Sequence, residues 1–299
     1  MARLEVCSDD ETFIKGLTIL GVRIYIVCRE SPVISVFMSQ QPFRRLQDIV
    51  VHGLEAPSDI AASASTATGC LYVPDPISGA IWRIDINTST VVQWLTGLYA
   101  TTLSVTPDDR FVLLVDVNDM PGCWDECSQS WHSEVRVYSA EAVLETVVKL
   151  PAKLTSPLSV FMTTRETFIV SHGTEWQKTN RICEMDKTGR ILKAFGSTPG
   201  HSAGQLCRPS HVSADNQEQS IVADSYNNRL VLLNRQLMSP RVLVAWRPQF
   251  GSEVKCPLRV HYDSQSGYLL VALCSGEVVI YDLRRQQYCT YCASISASP

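Results

Sequence analysis

No stretch of the chain approaches the ~18 consecutive apolar residues of a transmembrane helix. No segment sustains a 3.6-residue apolar period bounded by helix caps. A helical membrane span and a helical bundle are therefore not expected. Neither sign of charge dominates: 26 Lys and Arg stand against 30 Asp and Glu, a net charge of −4 over 299 residues. The molecule as a whole offers no strong field to nucleic acid or to an anionic membrane, although residues 1–199 carry six more acids than bases and residues 200–299 two more bases than acids. Cys and His arrays at zinc-finger spacing and coiled-coil heptads are also missing. Acidic Asp9, Asp10 and Glu11 occupy the stretch where a secretory signal needs a continuous apolar run, so a cytoplasmic protein is expected. The eleven cysteines are odd in number, and Cys28, Cys70, Cys183 and Cys274 lie inside apolar runs. They are expected to be reduced thiols serving as small buried hydrophobes.

What is present is a folded composition, 45% hydrophobic and 19% charged, arranged in a repeat. The clearest copy starts at Pro209-Ser210-His211-Val212, continues through Ser220–Asp224 and Arg229–Leu233, and closes with Arg241–Ala245. Each run is short, apolar and β-branched, and turn residues separate the runs. The same order recurs from Pro57, Pro157 and Pro257, and in more degenerate form over 14–51 and 101–150. First-strand starts are spaced by roughly 41 to 56 residues, the spacing of four-stranded propeller blades. The expectation is an all-β, six-bladed β-propeller with four antiparallel strands per blade. It forms one domain over 1–299, with blades near 14–51, 57–97, 101–150, 157–197, 209–246 and 257–292. Either Leu4–Cys7 or the segment 287–291 is expected to supply the outer strand that closes the last blade.

Within the copy at 209–245, Ile221-Val222-Ala223-Asp224-Ser225-Tyr226-Asn227-Asn228-Arg229-Leu230 resembles the core of an NHL repeat. That resemblance implies an interaction platform for protein or RNA, of the kind found at the C-terminal end of tripartite-motif ubiquitin ligases. The ligase modules themselves are missing. Asp224, Asn228 and Arg229 are expected to satisfy the strand-to-strand turn, because Asp and Asn bond readily to nearby backbone.

Aligning the first strands gives one polar position per blade, Thr18, Asp59, Ser104, Ser159, His211 and Arg259. These six are expected to form a ring at a mouth of the central channel. Loops after the second strands are expected on the same face, with Arg29, Trp131, His132, His172, Trp176, Tyr226 and Asn227 as partner-binding side chains. The long insertion at 117–133, with Trp124, is the first candidate for partner specificity.

The chemistry expected is correspondingly sparse. Cys123, Cys127 and His132 give three zinc-type donors where a structural site takes four, and Cys289 and Cys292 form a lone CxxC. The ring offers one carboxylate, Asp59, where calcium needs six or more oxygens. His211, His261 and Asp59 are the only donors for catalytic zinc. No catalytic residue, metal or cofactor is expected, and a protein or peptide is the expected ligand. RNA on a basic patch of Arg208, Arg229, Arg247, Lys255 and Arg259 is the alternative, followed by a metal-dependent propeller hydrolase or lyase.

Overall fold

The computed structural model describes residues 1–7, 13–63, 69–118, 131–215, 217–245 and 254–284. Its strands form six separate four-stranded sheets. The first blade comprises β2 (Ile14–Leu20), β3 (Arg23–Cys28), β4 (Val33–Met38) and β5 (Ile49–Val50). The second comprises β6 (Ala61–Ser63), β7 (Cys70–Asp75), β8 (Ala80–Asp85) and β9 (Val91–Thr96). The third holds β10 (Tyr99–Val105), β11 (Phe111–Asn118), β12 (Trp131–Tyr138) and β13 (Leu144–Lys149). The fourth holds β14 (Pro157–Met162), β15 (Phe168–His172), β16 (Asn180–Met185) and β17 (Ile191–Ser197). In the fifth are β18 (Pro209–Ala214), β19 (Ser220–Asp224), β20 (Arg229–Leu233) and β21 (Arg241–Ala245). The sixth has β22 (Pro257–Asp263), β23 (Tyr268–Leu273) and β24 (Glu277–Asp282), completed by β1 (Ala2–Glu5).

Beginning and end of the described chain thus share one blade, with Ala2 opposite Ile280 and Glu5 opposite Glu277 in an antiparallel ladder. Leu4 is the buried residue of this strand and packs with Ile24, Ile26, Leu270 and Val278. The N-terminal strand therefore closes the ring, and the alternative strand at 287–291 lies outside the described residues. Cys7, just after β1, is joined to Cys28 at the end of β3 in a disulfide. That corrects the expectation of a reduced Cys28; Cys70 and Cys183 are buried free thiols.

Strand alternation explains where the core lies. Successive side chains of a strand point to opposite faces, so the second strand of every blade feeds two interfaces. Tyr25 and Val27 of β3 pack towards the second blade against Leu71 and Val73, whereas Ile24 and Ile26 pack back towards the sixth. Six apolar clusters result, one between each pair of neighbouring blades. Between the second and third blades the cluster is aromatic, with Tyr72 and Phe111 ring centroids 4.4 Å apart and Trp94 within 4.6 Å of Phe111. Such tilted contacts add about 0.5–1.5 kcal/mol to simple burial. No helix among the described residues is long and apolar enough to cross a membrane.

Candidate functional site: a blind cavity along the propeller axis

The first strands carry the feature that aims side chains at the axis. In five blades the ladder with the second strand shifts by one residue near its start, between Ile14 and Gly16, Ala100 and Thr102, Pro157 and Ser159, Pro209 and His211, and Pro257 and Arg259. A bulge of this kind inserts one residue and re-aims its neighbours. The residues after the bulge are Gly16, Thr102, Ser159, His211 and Arg259. Asp59 occupies the place in the second blade, because its Oδ2 accepts from Leu103 N at 3.1 Å, as Ser159 Oγ accepts from Val212 N at 3.4 Å one pair of blades further on.

The aligned ring therefore needs a correction at two blades. Gly16 and Thr102 are the equivalents of Asp59, and Thr18 and Ser104 lie two residues further along the same faces. Period-2 alternation keeps Thr18 and Ser104 pointing inward, so all six residues of the aligned set line one axial cavity of about 740 Å³. Thr102, Ser213 and His261 line it as well. Gly16 is required where it stands: a Cβ there would come within 2.7 Å of Asp59 Oδ1. The Asp59 carboxylate covers that gap and also accepts from Ile60 N at 2.9 Å.

Arg259 closes one end. Its guanidinium donates to the carbonyls of Lys15, Ser210 (3.4 Å), Leu258 (3.4 Å) and Ser58 (3.4 Å), so it bridges the first, second, fifth and sixth blades across the axis. The opposite end carries the turns between first and second strands, and Pro107, Asp108, Arg110, Thr164, Asp215, Glu218 and Ser264 line the cavity there. The ring is thus a floor, and the mouth lies on the other face.

The loops after the second strands lie at the same end as the ring, as expected, because Pro157 pairs with His172 and Pro209 with Asp224, but they stand outside the cavity. None of Arg29, His132, His172, Trp176, Tyr226 and Asn227 lines the cavity. Arg29 pairs with Glu30 at 2.7 Å, and His132 Nε2 lies 3.0 Å from Glu134. His172 is 1% exposed and held near a pKa of about 4 by burial, so it is a core residue and presents nothing on the face. Trp176 is 88% exposed, and Tyr226 lies under Arg208 at 5.3 Å. Asn227 Nδ2 donates to Gly200 O and to Asp224 Oδ2. Trp131 begins β12 opposite Asn118; its side chain, Trp124, Cys123, Cys127, Cys289 and Cys292 lie outside the described residues.

The repeat motif serves the turns. Asp224 is buried and accepts from Cys207 N, Asn227 Nδ2 and Arg229 Nε, each at 2.7 Å, while Arg229 also donates to Gln205 O at 2.8 Å. Asn228 Oδ1 accepts from Cys256 N at 2.7 Å, stapling the fifth blade to the sixth. These bonds also commit Arg229 of the basic patch, and Arg259 is inside the channel. Arg247 lies outside the described residues.

Electrostatics within the cavity are set by burial. Desolvation drives His211 well below the ordinary imidazole range, and nearby Arg259 and His261 reinforce the shift. His261 falls to about 4 for the same leading reason. Both imidazoles are neutral at pH 7. Asp59 is raised to about 6 by burial, against the pull of Arg259 and its two backbone bonds. His211 Nδ1, Thr102 Oγ1 and Ser104 Oγ have no hydrogen-bond partner among the described residues. All three belong to residues that line the cavity, and buried polar atoms without a partner are uncommon. No group of three His, Cys, Asp or Glu side chains converges among the described residues.

A six-bladed propeller with an axial pocket closed at one end is the class that the geometry defines. Virginiamycin B lyase from Staphylococcus aureus is similar in fold, with a TM-score of 0.60, 10% identity, and 93% of this chain and 97% of that chain covered. A catalytically inactive His-to-Ala form of the lyase with quinupristin is similar at a TM-score of 0.59 and 12% identity, with the same coverage. Kuenenia stuttgartiensis hydrazine synthase is similar at a TM-score of 0.60 and 14% identity over 92% of this chain and 84% of that chain. No protein-family model matches the chain, and no curated protein does. The shared property at these identities is the propeller, and nothing in them singles out an NHL repeat. They correct the expectation of a non-catalytic, protein-binding platform: the architecture matched along nearly the whole chain houses enzymes, and the face loops form no part of the cavity.

Proposed function

We propose that the chain is an enzyme of the lyase kind, acting on a small polar substrate in the axial cavity with His211 as general base. The carrying observation is His211 itself, neutral and lining the cavity, with the Val260 backbone bonded to the ring and Nδ1 without a partner among the described residues. A volume of about 740 Å³ falls within the usual range for small-molecule sites. The structural likeness to a lyase that is inactive when a histidine is replaced supports the reading.

The chemistry uses only this chain's groups. His211 takes a proton from a carbon next to an electron-withdrawing group, and the C–H electron pair becomes a C=C bond as the C–O bond beyond it breaks. The imidazolium so formed returns the proton to the departing oxygen, so charge and atoms balance. Thr102 and Ser104 donate to developing negative charge, as preorganised donors do in a site shielded from bulk water. No step passes through a metal.

The test is a panel of small esters and lactones, with formation of alkene and carboxylic acid followed by NMR. Turnover should fall by a hundred-fold or more in His211→Ala, the order of roughly 10²–10⁴ that a general base contributes. Turnover unchanged in that variant would overturn the assignment.

A further inference from the structure

The charges around the cavity are not evenly placed. At the floor, every hydrogen bond of Arg259 among the described residues goes to a carbonyl, three of them at 3.4 Å, a length at which little bond remains. Lys15 and Arg208 lie close enough to act on it or on each other electrostatically, with Asp59 as the acid that offsets Arg259 and Glu30 the one that offsets Lys15. At the mouth the balance is reversed. Asp108, Asp215 and Glu218 line it against Arg110 alone. Arg110 is engaged with Asp108 and Glu166, and Glu218 with Arg235. Asp215 accepts from Gln217 N, Gln219 N and Gln219 Nε2, all neutral.

His211 and Asp215 are four residues apart along β18 and its following turn, roughly 13 Å at the ~3.3 Å rise of a strand. Side chains reaching inward from both ends shorten the span left for a ligand. Between them, Thr102 is 2% exposed with an unpartnered Oγ1, and Ser104 Oγ is unpartnered too.

We propose that the cavity takes a dipolar small molecule, its carboxylate inward on Arg259 and the Thr102 and Ser104 hydroxyls, its cationic amine outward at Asp215. The proposal rests on the cavity being the substrate site and adds the class of substrate. A doubly charged anion has to pass the acidic mouth and then lie beside Asp59, with one guanidinium to hold it. A plain cation meets Arg259 at the floor. A molecule with opposite charges at its two ends meets neither obstacle.

The experiment is calorimetric titration of the purified full chain with three probes of equal carbon-chain length, ε-aminohexanoate, hexanoate and hexylamine. The aminohexanoate should bind at least about ten-fold tighter than either, a difference of about one decade in Kd. Asp215→Asn, which keeps the turn's acceptor oxygen, should bring aminohexanoate down to the affinity of hexanoate and leave hexanoate unchanged. Thr102→Val should weaken both carboxylates several-fold and spare hexylamine. Equal affinities for the three probes, hexylamine binding as tightly as aminohexanoate, no binding at millimolar concentration, or no response to Asp215→Asn would overturn the proposal. Binding is read without turnover, so failure here is separable from failure of the lyase reading. Turnover of uncharged esters with no affinity for the dipolar probe sinks the substrate class alone.

Discussion

The two ends of the propeller axis are built by opposite means. At the floor one side chain, Arg259, reaches four carbonyls from four blades; at the mouth the turns are joined only neighbour to neighbour, Ser63 to Asp109, Arg110 to Glu166 and Thr164 to Glu218, and none of these bonds crosses the axis among the described residues. A closed end made by one residue concentrates stability and leaves the other end open for exchange with solvent. Ring closure and ligand access thus fall on different faces of one domain.

The largest way to break that contrast is at Arg259. Replacing it with Leu removes the bond to Lys15 O and leaves buried Asp59 without the cation that offsets it, and should cost about 3 kcal/mol, the scale of leaving a buried charge uncompensated, whereas Asp215→Asn at the mouth should cost little; both are read from urea midpoints. If the two cost the same, the floor is no special closure.

A second test concerns Asp59. Its carboxyl is 4% exposed and raised to about 6, above its ordinary value, so its contribution is fully present below the unfolded pKa and is lost as pH rises through 6. The stability of the native chain relative to Asp59→Asn should therefore grow as pH falls from 7 to 4, by about 3 kcal/mol at most. A difference independent of pH would show that Asp59 is not desolvated at the floor.

Next in size is Gly16→Ala, which forces a methyl against Asp59 and Ile60 and should cost about 1–3 kcal/mol as overpacking, with a matching loss of midpoint in denaturant. The smallest effect is expected at Trp176→Ala. At 88% exposure and away from the cavity, it should move stability by less than about 0.5 kcal/mol and leave turnover untouched.

The blades were legible because each is a local pattern: four short β-branched runs with turn residues, repeated six times, encode hairpins without reference to the rest of the chain. The inward column was legible at Asp59, Ser159, His211 and Arg259, where a proline or a clear run marks the strand start. It slipped at Gly16 and Thr102, because a bulge is a property of the ladder and leaves no residue type behind. The slip was harmless to the lining, since a shift of two keeps the same face. What the residues alone could not tell was which end of the channel is shut. That depends on Arg259 reaching carbonyls more than two hundred positions away in sequence, at Ser58 and Lys15, and on ring closure by a strand from the opposite terminus. His172 was misplaced for a related reason: a polar residue ending a strand looks like a loop residue until its neighbours bury it.

The closing strand β1 has a consequence for how the protein emerges and matures. The sixth blade is complete only when β1 meets a strand made much later, Ala2 against Ile280. Until then the first blade's cluster around Ile24 and Ile26 has no neighbour on one side, and the segment holding Arg259 has not arrived. The floor of the cavity is therefore the last part of the molecule to be assembled, so a truncated chain would carry five blades' worth of walls around a pocket that has no bottom.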